Sequence, residues 1–276
     1  MHRQHIYLNG RIIPADEAAI SPFDIGLLRG YAVFDLLRTA GRRPFLLAEH
    51  LERLRRSAAQ LDLAVPASDE EIARAIGELV TRNGHSEATV RLVVTGGVSP
   101  DGMSYDPSLP TFFMLTHELH EPPASLYETG GKLITMNHCR EFPLAKTTAY
   151  LTMVKHRPLV LEQGALDLLY HDDGLILEPA TASFYLVRGE TIHAPRDRVL
   201  RGTTAELVLG MARDRFEVVT GDMLLEDAYM ADEAFLTSTT RGVAPIVRID
   251  DAPVGNGTVG PVTRELIELY ARALAE

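Results

Sequence analysis

Apolar positions recur along the chain with two periods, and the period switches mark its elements. "IYLNGRII" (Ile6–Ile13) sets apolar runs on either side of Asn9 and Gly10, the favoured two-residue hairpin turn, so the fold begins with paired strands. "YAVFDLLRTAGRRPFLL" repeats the arrangement, with Ala40 and Gly41 turning one strand into another that ends near Leu47. The period then lengthens. Leu47, Leu51, Leu54, Ala58 and Leu61 fall at helical spacing, and "SDEEIARAIGELVTRNG" reads as a second helix with Ser68 as N-cap, acids in its first turn and Gly84 at its end. "ATVRLVVTGG" and "TFFMLTHEL" are strands around a Gly/Pro/Asp-rich loop from Gly96 to Pro110.

The polar stretch "HELHEPPAS", with Pro122 and Pro123, predicts a connection between domains, giving a small N-terminal α+β domain over 1–120 and a larger one over 121–276. In the second domain the pattern predicts a strand over Lys132–His138, a helix over Thr147–Gln163, and strands within "ALDLLYHDDGLILEP" and "SFYLVRGETIHAP". A helix from Thr203, strands over Ala234–Thr239 and Val243–Ile249, and a last helix from Val262 follow. Many hairpins and no clean βαβ repeat predict an α+β protein with mixed or antiparallel sheets rather than a doubly wound fold.

Composition narrows the chemistry. A formal net charge of −11 argues against a nucleic-acid or membrane surface, and a single cysteine, Cys139, rules out an internal disulfide and any cysteine zinc site. No apolar signal core opens the chain and no segment has the length of a membrane span, so a cytoplasmic location is expected. Lysine is scarce: Lys132, Lys146 and Lys155 are the only three. A reaction that needs a primary amine therefore has three candidates, since arginine forms no Schiff base. Lys155 sits beside His156 and Arg157 in a basic cluster, and Lys132 begins a strand after two glycines. Lys146 follows the apolar Pro143, Leu144 and Ala145, an approach that would desolvate its amine.

The surrounding motifs change the weight of Lys146. "RGYAVFD", "EHLERL", "PLAKTTAYL", "GLILEPATASFYLV", "LRGTTAELVL", "DEAFLTSTTRGVAPIVRID" and "GPVT" occur in one order from Ile6 to Tyr270. Together they resemble the fold-type IV, or class IV, pyridoxal-phosphate aminotransferases, which include D-amino-acid and branched-chain transaminases and aminodeoxychorismate lyase. The resemblance implies the two-domain D-amino-acid aminotransferase-like architecture, a homodimer, pyridoxal 5'-phosphate as cofactor and Lys146 as its Schiff-base lysine and catalytic group. By the same resemblance Arg53 binds the phosphate, with the helix start at Thr203 and Thr204 and the turn at Thr239 and Thr240. Glu178 faces the pyridine nitrogen and Tyr150 the ring hydroxyl. The residue types suit these tasks: a guanidinium fork grips anionic oxygens, helix N-termini offer N–H groups to anions, and a carboxylate holds the pyridine nitrogen protonated.

Substrate recognition falls to Arg29, Arg91 and Thr240. Arg29 stands where members of the family more often carry an aromatic, and with Arg91 it would hold a substrate carboxylate. The loop Gly97–Met103 lacks the Arg/His clamp of the best-known D-amino-acid transaminases; Pro179, Ser183 and Ala205 also depart from the usual pattern. The expected reaction is amino transfer from an amino acid, a D-amino acid first, to a 2-oxo acid such as 2-oxoglutarate or pyruvate. Branched-chain L-amino-acid transamination is the alternative, followed by aminodeoxychorismate lysis. A fold that has lost catalysis and serves only to bind is the reading outside enzymology, and the retained Lys146 argues against it.

Overall fold

The computed structural model describes residues 4–276, which form two compact units. One takes the chain to His120 together with Leu144–Ala149; the other takes Glu121–Pro143 and Tyr150–Glu276.

The first unit contains β1 (His5–Leu8), β2 (Arg11–Pro14), α1 (Ile25–Arg29), β3 (Ala32–Ala40), β4 (Arg43–Pro44), α2 (Leu47–Ala59), α3 (Asp69–Asn83), β5 (Ala88–Thr95) and β6 (Thr111–Glu118). Its six strands form an antiparallel sheet in the order β2-β1-β6-β5-β3-β4. Asn9 and Gly10 both take positive φ in the first hairpin, as its two-residue turn requires. Ser68 and Glu71 form a capping box at the start of α3 and Gly84 ends it in the left-handed region. Alternation along β3 sends Val33 and Leu37 into the core with Leu51 and Leu54 of α2.

Asp35 lies between Val33 and Leu37 and is fully buried. It accepts Arg53 Nε at 2.8 Å and Nη2 at 2.8 Å, and meets His50 Nδ1 at 2.7 Å, so both helical residues are tied to β3. Burial alone would push this carboxyl up. The Arg53 charge and the hydrogen bonds from His50 and Arg53 outweigh it and hold the group well below the usual aspartate range.

The second unit contains α4 (Ala124–Thr129), β7 (Gly131–Asn137), α5 (Leu151–Glu162), β8 (Asp167–Asp172), β9 (Leu175–Pro179), β10 (Ser183–Arg188), β11 (Thr191–Pro195), α6 (Thr203–Ala212), β12 (Glu217–Gly221), α7 (Leu225–Tyr229), β13 (Glu233–Ser238), β14 (Gly242–Ile249), β15 (Ala252–Pro253) and α8 (Pro261–Ala275). A nine-stranded sheet runs β12-β11-β10-β13-β14-β7-β8-β9, with β15 added to β14. It is mixed: β11 with β12, β14 with β7 and β7 with β8 are parallel, the other pairs antiparallel. Buried Glu233 caps α8, accepting the N–H groups of Val262 at 3.0 Å and Thr263 at 2.8 Å, which places the "GPVT" segment. Among the described residues no helix is long and apolar enough to cross a membrane.

Two expectations are corrected. The helix read from Thr147 begins at Leu151, and residues 144–149, read as part of the second domain, pack with the first unit. The cause is shared. Phe34 N–H donates to Lys146 O at 2.9 Å and Thr148 N–H to Ala32 O at 3.0 Å, so β3 recruits this stretch as extended chain. The β-branched Thr147 and Thr148 suit that conformation better than a helix.

Asp35→Asn is expected to lower the unfolding free energy near neutral pH by about 3–5 kcal/mol, because Arg53 would keep a buried charge without its counter-ion. The native carboxyl titrates below the unfolded one, so the pair contributes fully above the unfolded value and is lost as pH falls through the native value. Denaturant titrations of both proteins should therefore show the gap narrowing below about pH 4. A gap that widens in acid would contradict this assignment.

Candidate active site

In the first unit the sequence-predicted amine is fixed at its backbone and directed by its neighbours. Besides its bond to β3, Lys146 donates its own N–H to Ser57 Oγ on α2 at 3.0 Å. Its side chain is half-buried, with Nζ 4.8 Å from the centre of the Phe34 ring. Phe34 points to the face of β3 opposite Asp35, because neighbouring strand residues alternate. Arg91 on β5 pairs in register with Leu36, two residues from Phe34, and its Cζ lies 4.7 Å from the same ring centre. The amine and the Arg91 guanidinium thus share one aromatic ring, a favourable place for both cations.

Arg29 has a different setting. It ends α1 as an exposed side chain, donating Nε to Met103 Sδ at 3.3 Å and Nη1 to Leu28 O at 2.9 Å. The short helix that carries it was not read from the sequence. Its anchor is Asp24, fully buried, which accepts Gly26 N–H at 2.8 Å, Thr95 Oγ1 at 2.8 Å and Thr111 Oγ1 at 2.6 Å. An aspartate shortly before a glycine is an N-cap signal, but its two threonine partners lie 71 and 87 residues away. Arg53, far from a solvent-facing helix arginine, is 5 % exposed and gives its bidentate contact to Asp35.

The second unit positions the remaining candidates. Glu178 on β9 is 5 % exposed; it forms an ion pair with Arg140 Nη2 and accepts Leu200 N–H at 3.1 Å. The same Arg140 nitrogen reaches Pro143 O at 2.6 Å. Arg140 was missed in the sequence. A partly buried glutamate signalled that it needed a partner, but nothing local told which of many arginines supplies it. Tyr150 is the N-cap residue of α5 and half-buried. The neighbouring Tyr170 phenol is pushed up to about 12, first by burial and then by the charges of Asp167 and Tyr150.

Thr203 and Thr204 open α6 and are both buried. The N-cap of that helix is Gly202, and no side chain caps it. A Cβ on Gly202 would come within 2.8 Å of Ser183 Oγ, so a side chain there would displace the serine hydroxyl. Thr239 and Thr240 are half-buried and occupy the turn between β13 and β14. The structure therefore gathers Lys146, Phe34 and Arg91 on one sheet face, and in the second unit holds a buried carboxylate with its arginine, an uncapped helix start and a threonine turn. Arg29 and Arg91 keep separate partners.

Comparison with known proteins gives the arrangement a family. A family model described as amino-transferase class IV matches residues 32–249. A putative branched-chain-amino-acid aminotransferase of Methanocaldococcus jannaschii is 32% identical, covering 96% of this chain and 94% of its own. A D-alanine aminotransferase of Listeria monocytogenes is 27% identical over 98% of this chain and 96% of its own, and an aminodeoxychorismate lyase of Bacillus subtilis is 30% identical over 98% and 94%. Among solved structures, a branched-chain amino acid aminotransferase of T.th. with pyridoxamine 5'-phosphate superposes with a TM-score of 0.89 at 28% identity, covering 99% of this chain and 94% of that one. The chain belongs to the class IV aminotransferases, pyridoxal-phosphate-dependent transaminases of fold type IV.

Proposed function

We propose that the protein moves an amino group from a D-amino acid to a 2-oxo acid such as 2-oxoglutarate or pyruvate. The observation that carries this reading is the shared Phe34 ring, which sets the guanidinium of Arg91 near the amine of Lys146. A carboxylate can be gripped there while chemistry proceeds at the amine. Arg29, exposed at the end of a firmly anchored helix, supplies a further carboxylate contact, and Thr240 a hydroxyl.

The residues present fit pyridoxal phosphate. A helix start without a side-chain cap suits a phosphate, and a buried carboxylate suits a protonated pyridine nitrogen. Once bound, the cofactor supplies an aldehyde for the amine and a ring that accepts electrons from the substrate Cα. Lys146 would tether it and move the proton at the substrate Cα, its segment held by two backbone hydrogen bonds to β3 and by its own N–H to Ser57 Oγ. Glu178, with one oxygen fixed by Arg140 and the other by the Leu200 N–H, would accept from the ring nitrogen. Tyr150 would donate to the ring hydroxyl. Thr203 and Thr204 at the start of α6 and Thr239 and Thr240 in the β13–β14 turn would bind the phosphate, and Arg53 is carried over as a further phosphate ligand by family position.

A second reading, branched-chain L-amino-acid transamination, is favoured by the apolar Phe34 on the same face and by the relatives of that name. We also infer a homodimer. Helix α5 leaves Leu151 81 %, Val154 68 % and Leu161 61 % exposed, an apolar surface of the kind a second copy would cover.

Steady-state rates with D-alanine, D-glutamate and L-leucine, each with 2-oxoglutarate, test the donor. The D-amino acids should be preferred; turnover confined to L-leucine would replace the first reading with the second, and pyruvate release from aminodeoxychorismate without an acceptor would indicate the lyase. Arg91→Leu should raise KM for 2-oxoglutarate by about ten- to a hundredfold, the loss of one charged hydrogen-bonding contact. Lys146→Ala should lower kcat about a thousandfold, and borohydride should attach the cofactor to residue 146 in the unaltered protein. Undiminished turnover would remove Lys146 from the chemistry. Light scattering should give a dimer mass that Val154→Asp reduces; a monomeric parent protein would refute the dimer.

A further inference from the structure

The turn bearing Thr239 and Thr240 is clamped by the residue that follows them. Ser238 and Gly242 form the last register pair of β13 and β14, which leaves residues 239–241 as the whole turn. Gly242 has φ +58, and a Cβ there would meet the Tyr270 ring at 2.5 Å, so the return into β14 is fixed. Arg241 folds back over the turn. Its Nε donates to Ser238 Oγ at 3.1 Å, and its Nη2 donates to Thr181 Oγ1 at 2.6 Å and reaches Asp167 Oδ2 at 3.4 Å. Its carbonyl accepts the Tyr127 hydroxyl at 2.8 Å.

Asp167, at the start of β8, is fully buried. It accepts both the N–H of Thr181 at 3.1 Å and its hydroxyl at 2.5 Å. Thr181 lies two residues before Ser183, whose Oγ packs on Gly202 at the start of α6. One network thus references the threonine turn to the frame that also holds Thr203 and Thr204. A buried ion pair is weak evidence for stability but a good device for fixing geometry.

We propose that Arg241, clipped to Asp167 and Thr181, is a positioning residue that sets the Thr239–Thr240 turn for the cofactor phosphate. This rests on the reading of that turn as part of the phosphate site. The phosphate donors are short hydroxyl and backbone groups, which bind only if the turn already has the right shape.

The test compares apoprotein affinity for pyridoxal phosphate and for pyridoxal, which lacks the phosphate, followed by absorbance. Arg241→Gln should weaken pyridoxal phosphate about tenfold or more, the worth of a lost charged hydrogen bond, while leaving pyridoxal unchanged. Arg241→Lys should restore part of the difference. Thr181→Val removes the hub without leaving a free charge and should shift the preference in the same direction. Equal weakening of both ligands in Arg241→Gln and Thr181→Val would overturn the proposal and mark the network as merely structural. The double variant Thr239→Ala with Thr240→Ala separates the underlying reading. If it keeps the full phosphate preference, the turn does not bind phosphate and the proposal falls with it; if it loses the preference while the Arg241 variants keep theirs, only the positioning role fails.

Discussion

Two backbone hydrogen bonds to β3 decide where the candidate amine of Lys146 can be. Phe34 donates to the Lys146 carbonyl, and Thr148 donates to the Ala32 carbonyl. They turn residues 146–148 into a short extended addition to a strand whose other side is occupied by β5. The lysine is therefore delivered by a sheet rather than by a loop, and its side chain leaves on the face where Phe34 waits. A group on such a platform is pre-oriented at little entropic cost when it reacts.

Three of the buried carboxylates are each met by an arginine: Asp35 by Arg53 in the first unit, and Glu178 by Arg140 and Asp167 by Arg241 in the second. Only three of the 27 Lys and Arg residues are lysines. Guanidinium is more weakly hydrated than ammonium and offers a rigid fork, so it loses less on burial and fixes its partner in a plane.

Much of the local structure was legible. The Asn9–Gly10 hairpin, the Ser68 to Gly84 helix and the strands around residues 165–195 follow from turn chemistry and periodicity that neighbouring residues carry. The short elements α1, α4, α7 and β12 went unread, because five or six residues give too few periods to register. Partner choice was not legible either. Arg140 and Glu178 are 38 residues apart and Arg241 and Asp167 are 74 apart, and no local pattern selects one arginine among many. The start of α5 failed for a related reason: the helical pattern runs on through Thr147, but hydrogen bonds from β3 override it.

The Phe34 ring shows how a sheet face can organise charge. Two cations approach it, one from β5 and one from the added segment, and both lie within 5 Å of its centre. Each cation is favoured by the ring's negative face. Both are placed by extended backbone, Arg91 by β5 and Lys146 by the segment hydrogen-bonded to β3. The single charge that can be given up at this face is the one on the amine: arginine stays protonated, whereas the lysine can shed its proton. The face thus carries a permanent cation and a primary amine, the two groups that carboxylate binding and amine chemistry would separately require.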